Sequence, residues 1–149
     1  MNASRPNANA RFSGLLSRFR PEIAALVKRC LPKLRRAFPG SYQLVYDYAS
    51  SLLVAFSMSE RGYEAIVTIA IFPRWVRLYF ARSLPDPKGL LQGSGTKVRS
   101  VTLKAASDLD NGDIHALIEA AIKHSGVAFP RTRTNRMVFK SEPVKRKRK

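Results

Sequence analysis

Several short groups of residues in this chain have side chains suited to chemistry, and none completes a catalytic set. The run from Leu91 to Lys97 offers the backbone amides of Gly93 and Gly95, with Lys97 beside them, as a cradle for phosphate. A phosphate-binding P-loop needs its Lys directly after the second Gly and a helix behind it. Here Thr96 intervenes and a strand follows, so the run reads as a Gly-rich turn. A small anion held by Ser94, Thr96 and Lys97 is the residual alternative. Asp108, Asp110, Asp113 and Glu119 have some of the spacing of a calcium loop, but Asp113 stands where that loop requires Gly. Acids at the positive end of a helix explain them better. His115 and His124 have no Cys or His beside them, whereas zinc is held by three or four clustered ligands. Cys30 falls in an apolar stripe and reads as a small buried hydrophobe. No G-x-S-x-G string occurs. No catalytic residue, cofactor or metal ligand is assigned, and the expectation is a chain that is not an enzyme.

Two further groups bear on binding. In the segment 75–82, Val76, Leu78 and Phe80 alternate with Trp75, Arg77, Tyr79 and Ala81, the period of a strand with two unlike faces. Tyr46, Tyr48 and Tyr63, with Arg74 and Arg82, extend the aromatic and basic character. Aromatic rings most often carry core burial, so the expectation is that these rings pack beneath helices. The alternative is an open ligand face on Trp75, Arg77 and Tyr79 that stacks bases or a small aromatic molecule. The second group is the charge. The net +17 is concentrated at the two ends, with nine Lys/Arg against one acid in residues 1–40 and the same balance in residues 131–149. Such a charge favours polyanionic partners, nucleic acid foremost. The candidate contacts are Arg131, Arg133, Arg136, Lys145, Arg146, Lys147, Arg148 and Lys149 in the C-terminal segment, and Arg29, Lys33 and Arg36 on the first helix. Contacts of this kind position a polyanion without reading its sequence.

The elements that position these residues follow from periodicity. Residues 1–20 read as a loose basic arm carrying Arg5, Arg11, Arg18 and Arg20. A helix is expected over 21–38, where Ile23, Leu26, Val27, Cys30, Leu34 and Phe38 share a face. Pro32 predicts a kink there or a division into two short helices. Pro39-Gly40 stops it. Strands are expected over 43–48, 52–56, 63–72, 75–82 and 97–103, with a polar turn at 59–62 and a loop over 83–95 rich in Pro and Gly. The apolar run within 63–72 belongs at the centre of a sheet. A second helix over 111–124 carries Ile114, Leu117, Ile118, Ala121 and Ile122 on one face, with acids before it and Gly126 after it. Met137-Val138-Phe139 forms an apolar patch able to dock back on the domain, and residues 141–149 end in a basic tail. Elements segregate rather than alternate strand with helix. The class is therefore α+β, with an antiparallel sheet of about five strands and an N-terminal and a C-terminal helix on it. The domain spans 21–130, flanked by the arm 1–20 and the tail 131–149.

Several strings resemble the YdhG-like family: the leading helix ending in FPG, then YQLVYDY, IFPRWVRLYF and LLQGSGTKVRSVTL, followed by an acid-capped final helix. The resemblance covers residues 21–125. It implies a compact α+β domain with helices on a curved antiparallel sheet, and it is nearly silent on chemistry. Some members are described as frataxin-like iron handlers. That role relies on acidic surface, and this chain has ten acids under strong positive charge, so no iron ligand is carried over.

The single cysteine is compatible with a reducing, cytoplasmic setting. The N-terminal arginines and serines faintly resemble a mitochondrial transit peptide, but a frayed basic arm is the preferred reading. No stretch has membrane-spanning length and hydropathy. The expected function is a small cytoplasmic binding module that associates weakly with polyanions through its ends. The alternative is a small-ligand or protein-interaction module using the aromatic sheet face, with the tails irrelevant.

Overall fold

The computed structural model describes residues 7–61, 65–80, 84, 91, 99–110, 112–126 and 136–140. Three helices and six strands appear in the order α1 (Asn7–Leu16), α2 (Pro21–Ala37), β1 (Tyr42–Asp47), β2 (Leu52–Ser57), β3 (Ala65–Ile71), β4 (Val76–Phe80), β5 (Arg99–Leu103), a 3-10 turn (Ala106–Leu109), α3 (Gly112–Ser125) and β6 (Arg136–Lys140). The strands form one sheet in the order β5-β4-β3-β2-β1-β6. Neighbours from β1 to β5 are antiparallel, and β6 pairs with β1 in parallel. The class is α+β. The sheet is mixed rather than purely antiparallel, with one strand and one helix more than expected.

Register sorts the strand residues into two faces. Val45, Val54, Ile69, Leu78 and Val101 stand opposite one another across five strands, and Phe139 continues the row on β6. The next row brings Leu52, Ile71, Val76 and Leu103 to the same face. These side chains join one buried cluster with Phe12 and Leu16 of α1, Ile23, Val27, Cys30 and Leu34 of α2, and Leu117, Ile118 and Ala121 of α3. All three helices therefore bury against the same face. A bulge opposite Ser57 sets Ile66 out of step with its partner strand, and Ile66 joins the cluster.

Helix α2 runs unbroken through Pro32, neither split nor ended there. Pro32 is exposed, so the Lys28 carbonyl that loses its amide partner faces the solvent side. Buried residues flank the proline on both sides, with Val27, Cys30 and Leu31 before it and Leu34 after it. Their burial outweighs the roughly 3 kcal/mol that an internal proline costs. Beyond α2, Gly40 takes φ 75, a left-handed value that suits Gly at a helix stop. Gly126 does the same after α3, with φ 69.

Both flanks of the expected domain need correction. Residues 7–16 are helical, not a loose arm, and Phe12 and Leu16 are 5% and 1% exposed. The Arg18 guanidinium lies 2.9 Å from the Asp47 carboxylate and donates to the Tyr48 carbonyl, which ties the end of α1 to the β1–β2 turn. The C-terminal boundary moves from 130 to 140, because the Met137-Val138-Phe139 patch docks as strand β6. The two added elements meet where the Arg11 guanidinium stacks 4.2 Å from the centre of the Phe139 ring. Their shared cause is the core: Phe12, Leu16, Met137 and Phe139 all face the cluster that covers the sheet.

If α1 belongs to the cooperative unit, Phe12→Ala and Leu16→Ala should each destabilise the protein by about 2–5 kcal/mol in urea unfolding. Variants of an undocked arm would unfold with the parent's midpoint.

Candidate nucleic-acid interface

The alternation that sends Val76, Leu78 and Phe80 into the core sends Arg77 and Tyr79 to the opposite face of β4. Trp75, one residue before the strand, is 46% exposed. Trp75, Tyr79 and Tyr46 therefore do not lie beneath helices as expected, because all three described helices bury on the other side of the sheet, while Tyr63 and Arg82 lie outside the described residues. On this second face Tyr79 stands between Thr68 and Ser100, and Arg77 between Ala70 and Thr102. Tyr42, Leu44 and Tyr46 face the same way from β1, and Arg136, Val138 and Lys140 from β6. Ala55 and Ala70 are buried between the two aromatic strands and make a low floor. β4 and β1 are three strand spacings apart, roughly 14 Å.

Local contacts fix the polar groups. Arg77 donates to the Ser100 hydroxyl at 3.1 Å, and its guanidinium lies 5.5 Å from the centre of the Trp75 ring. The Phe72 amide donates to the Trp75 carbonyl at 2.9 Å, closing the tight turn that sets Trp75 at the mouth of β4. Tyr46 and Tyr48 are stacked, with ring centres 6.4 Å apart, and burial pushes the Tyr46 phenol above its ordinary value. The turn after β2 folds onto the β1–β6 side of this face. There Ser57 Oγ donates to the Arg61 carbonyl at 3.1 Å and Lys140 Nζ donates to the Glu60 carbonyl at 2.7 Å. On the β5–β4–β3 side Trp75 is exposed, and Arg77 and Tyr79 are half-buried. Among the described strand residues facing this way, none is Asp or Glu.

The expected polyanion contacts do not gather. Arg29 and Arg36 are exposed on α2, which covers the core face, so they look away from the aromatic face. Lys33 reaches Asp110 at 2.7 Å and ties α2 to the end of the 3-10 turn. Arg136 is exposed on β6, on the aromatic side beside Tyr42. Arg131, Arg133, Lys145, Arg146, Lys147, Arg148 and Lys149 lie outside the described residues, as do Gly93, Ser94, Gly95, Thr96 and Lys97 of the proposed phosphate turn. Sequence reasoning named Trp75, Arg77 and Tyr79 but did not place Arg136 and Lys140 with them. The alternation of Arg136, Val138 and Lys140 against Met137 and Phe139 carried that signal.

The remaining candidates are committed elsewhere. Asp108 accepts the amides of Lys104 at 2.7 Å and Ala105 at 3.1 Å, which caps the 3-10 turn rather than α3. His115 pairs with Glu119 one helical turn away at 3.6 Å. Among the described residues, no three His, Cys, Asp or Glu side chains come together to hold a metal. A cleft of about 290 Å³ lies between the α1–α2 junction and two sheet turns, lined by Arg18, Phe19, Arg20, Ala49, Ser50 and Pro73. Arg18 is already bound there to Asp47. Cys30 is fully buried, and its thiol is pushed up to about 12, first by burial and then by the nearby Asp108 carboxylate. No protein-family model, curated protein or solved structure matches this chain.

Burial of Cys30 has a pH signature. The folded state keeps the proton that the unfolded thiol gives up near its ordinary value of 9.0, so this contribution is intact below pH 9 and is lost as pH rises towards 12. Native protein at pH 8 should leave Cys30 unmodified by a thiol reagent that labels it at once in urea. Rapid native labelling would contradict a buried thiol.

Proposed function

We propose that this chain is a non-enzymatic binding module that associates with polyanions, nucleic acid foremost, through the aromatic side of its sheet and the basic segments attached to it. The observation that carries this reading is the sign of that face. Arg77, Arg136 and Lys140 point to it, and no acid does among the described strand residues. Strand β6 adds a covalent argument. Arg131 and Arg133 precede it by a few residues, and the five cations from Lys145 to Lys149 follow it. The basic tail is thereby tethered to the sheet edge that carries Arg136. The α2 residues Arg29, Lys33 and Arg36 support the reading less, since they lie across the domain and Lys33 has a structural partner.

A second reading assigns the same face to a small ligand or a protein, with the tails irrelevant. The exposure of Trp75 favours it. A cytoplasmic setting is part of the proposal, on the ground of a single, buried cysteine. Among the described residues, no helix is long and apolar enough to cross a membrane. A YdhG-like relationship remains a proposal about ancestry and supplies no site residue.

The polyanion reading predicts a salt-dependent affinity. Replacing Lys145, Arg146, Lys147, Arg148 and Lys149 together by Gln should reduce the slope of log K against log salt by about 3.5, if each cation neutralises one phosphate of a single strand. Nucleic acid binding with an unchanged slope would remove the tail from the mechanism. A Trp75 fluorescence response to a small ligand that persists in this variant would favour the second reading.

A further inference from the structure

We infer that the nucleic acid taken by this face is single-stranded, and that its bases stack on Trp75 and Tyr79 with a phosphate held at Arg77 between them. The inference rests on the polyanion reading above and names its substrate class. Arg77 and Tyr79 leave the same face of β4 roughly 7 Å apart, and Trp75, one residue before the strand, lies on that side too, with its ring centre 5.5 Å from the Arg77 guanidinium. The order is ring, cation, ring. A base lying on each ring would place the linking phosphate over the guanidinium, which pairs with phosphate more readily than an ammonium does.

The arrangement is held before any ligand arrives. The Ser100 hydroxyl accepts from Arg77, and the guanidinium sits against the Trp75 ring. Tyr79 is half-buried between Thr68 and Ser100. Trp75 is the large hydrophobic residue left exposed among the described residues, at the end of the face where β4 begins. Two neighbouring hydroxyls, Thr68 beside Tyr79 and Thr102 beside Arg77, can bond to base edges or sugar.

The choice of a single strand follows from access. Duplex bases hide their flat faces in the stack, and a protein reads them at groove edges with a helix or a narrow ribbon. A broad sheet face cannot enter a groove in that way. Unpaired bases can splay onto aromatic rings, which accept any base because every base has a π face. Ala70 stands beside Arg77 on β3 and ends at its Cβ, so it adds no bulk next to the guanidinium.

The test uses the full chain and its one tryptophan, Trp75, as the reporter. The probes are an oligothymidylate of about ten nucleotides and the duplex of the same length, with heparin as a polyanion without bases, at low salt. The expected result is quenching and tighter binding with the single strand alone. Trp75→Ala should weaken single-strand binding by about tenfold to a hundredfold while leaving heparin binding unchanged, and Trp75→Phe should keep most of the affinity. Trp75 is exposed, so neither variant should disturb folding, and an unchanged unfolding midpoint checks this. If Trp75→Ala binds the single strand as tightly as the parent does, or if duplex and heparin bind equally well without quenching, stacking is overturned and the polyanion reading stands. If none of the three probes binds, both readings fall.

Discussion

All three helices bury their apolar stripes on one side of the sheet, and the rest of the molecule is arranged around that asymmetry. The covered face supplies the dry core, where Val54, Ile69 and Leu78 are fully buried beneath the helices. Among the described residues, no helix covers the other face. Antiparallel sheets tolerate this well, because alternate residues can differ completely in character. Here that face carries Ala55, Ala70 and the half-buried Leu53 on its central strands and places Tyr and Arg side chains at its flanks, where long stems shield the backbone and polar tips meet water. The central strands β2 and β3 need the least shielding from outside, since Ala55 and Ala70 expose almost nothing.

The same asymmetry divides the positive charge. The α2 cations lie on the outer surface of the helical layer, and Arg77 and Arg136 lie on the opposite side of the molecule. A charge of +17 is therefore not a single patch. A far field of this kind acts in every direction, and it bears on encounter with charged partners more than on recognition. The ordered geometry is on β4, where the Arg77 guanidinium is held against the Trp75 ring and the Ser100 hydroxyl. Several other basic residues are spent on holding the fold. Arg11 covers Phe139, Arg18 binds Asp47, Lys33 binds Asp110 and Arg35 donates to Gln43 at 2.8 Å.

Much of this was legible in the sequence where periodicity was strong. The stripe from Ile23 to Leu34, the stripe from Leu117 to Ala121 and the alternation around Leu78 each predict their element to within a few residues. Helix α1 escaped because Asn, Arg and Ser set the tone of its surroundings, although Phe12, Leu15, Leu16 and Phe19 already have helical spacing. Strand β6 escaped because five residues carry little periodic signal and its partner is distant in sequence. The side on which the helices would lie was not legible at all. Alternation shows that β4 has two unlike faces, but which one is covered depends on how α2 and α3 pack, and that is a tertiary fact.

The parallel pairing of β6 with β1 also has a consequence for how the chain is made. Tyr42 and Arg136, which stand opposite each other, are separated by more than ninety positions. On a ribosome that interval takes roughly 5–20 s. Throughout it, β2 can satisfy one side of β1, while the other side offers the bare amides and carbonyls of Gln43 and Val45 to any passing strand. Closing so long a loop is entropically costly, so this contact forms late even after release. A nascent or prematurely terminated chain therefore presents a sticky border beside an otherwise finished core, and it is β6, the last of the described strands to be made, that seals it.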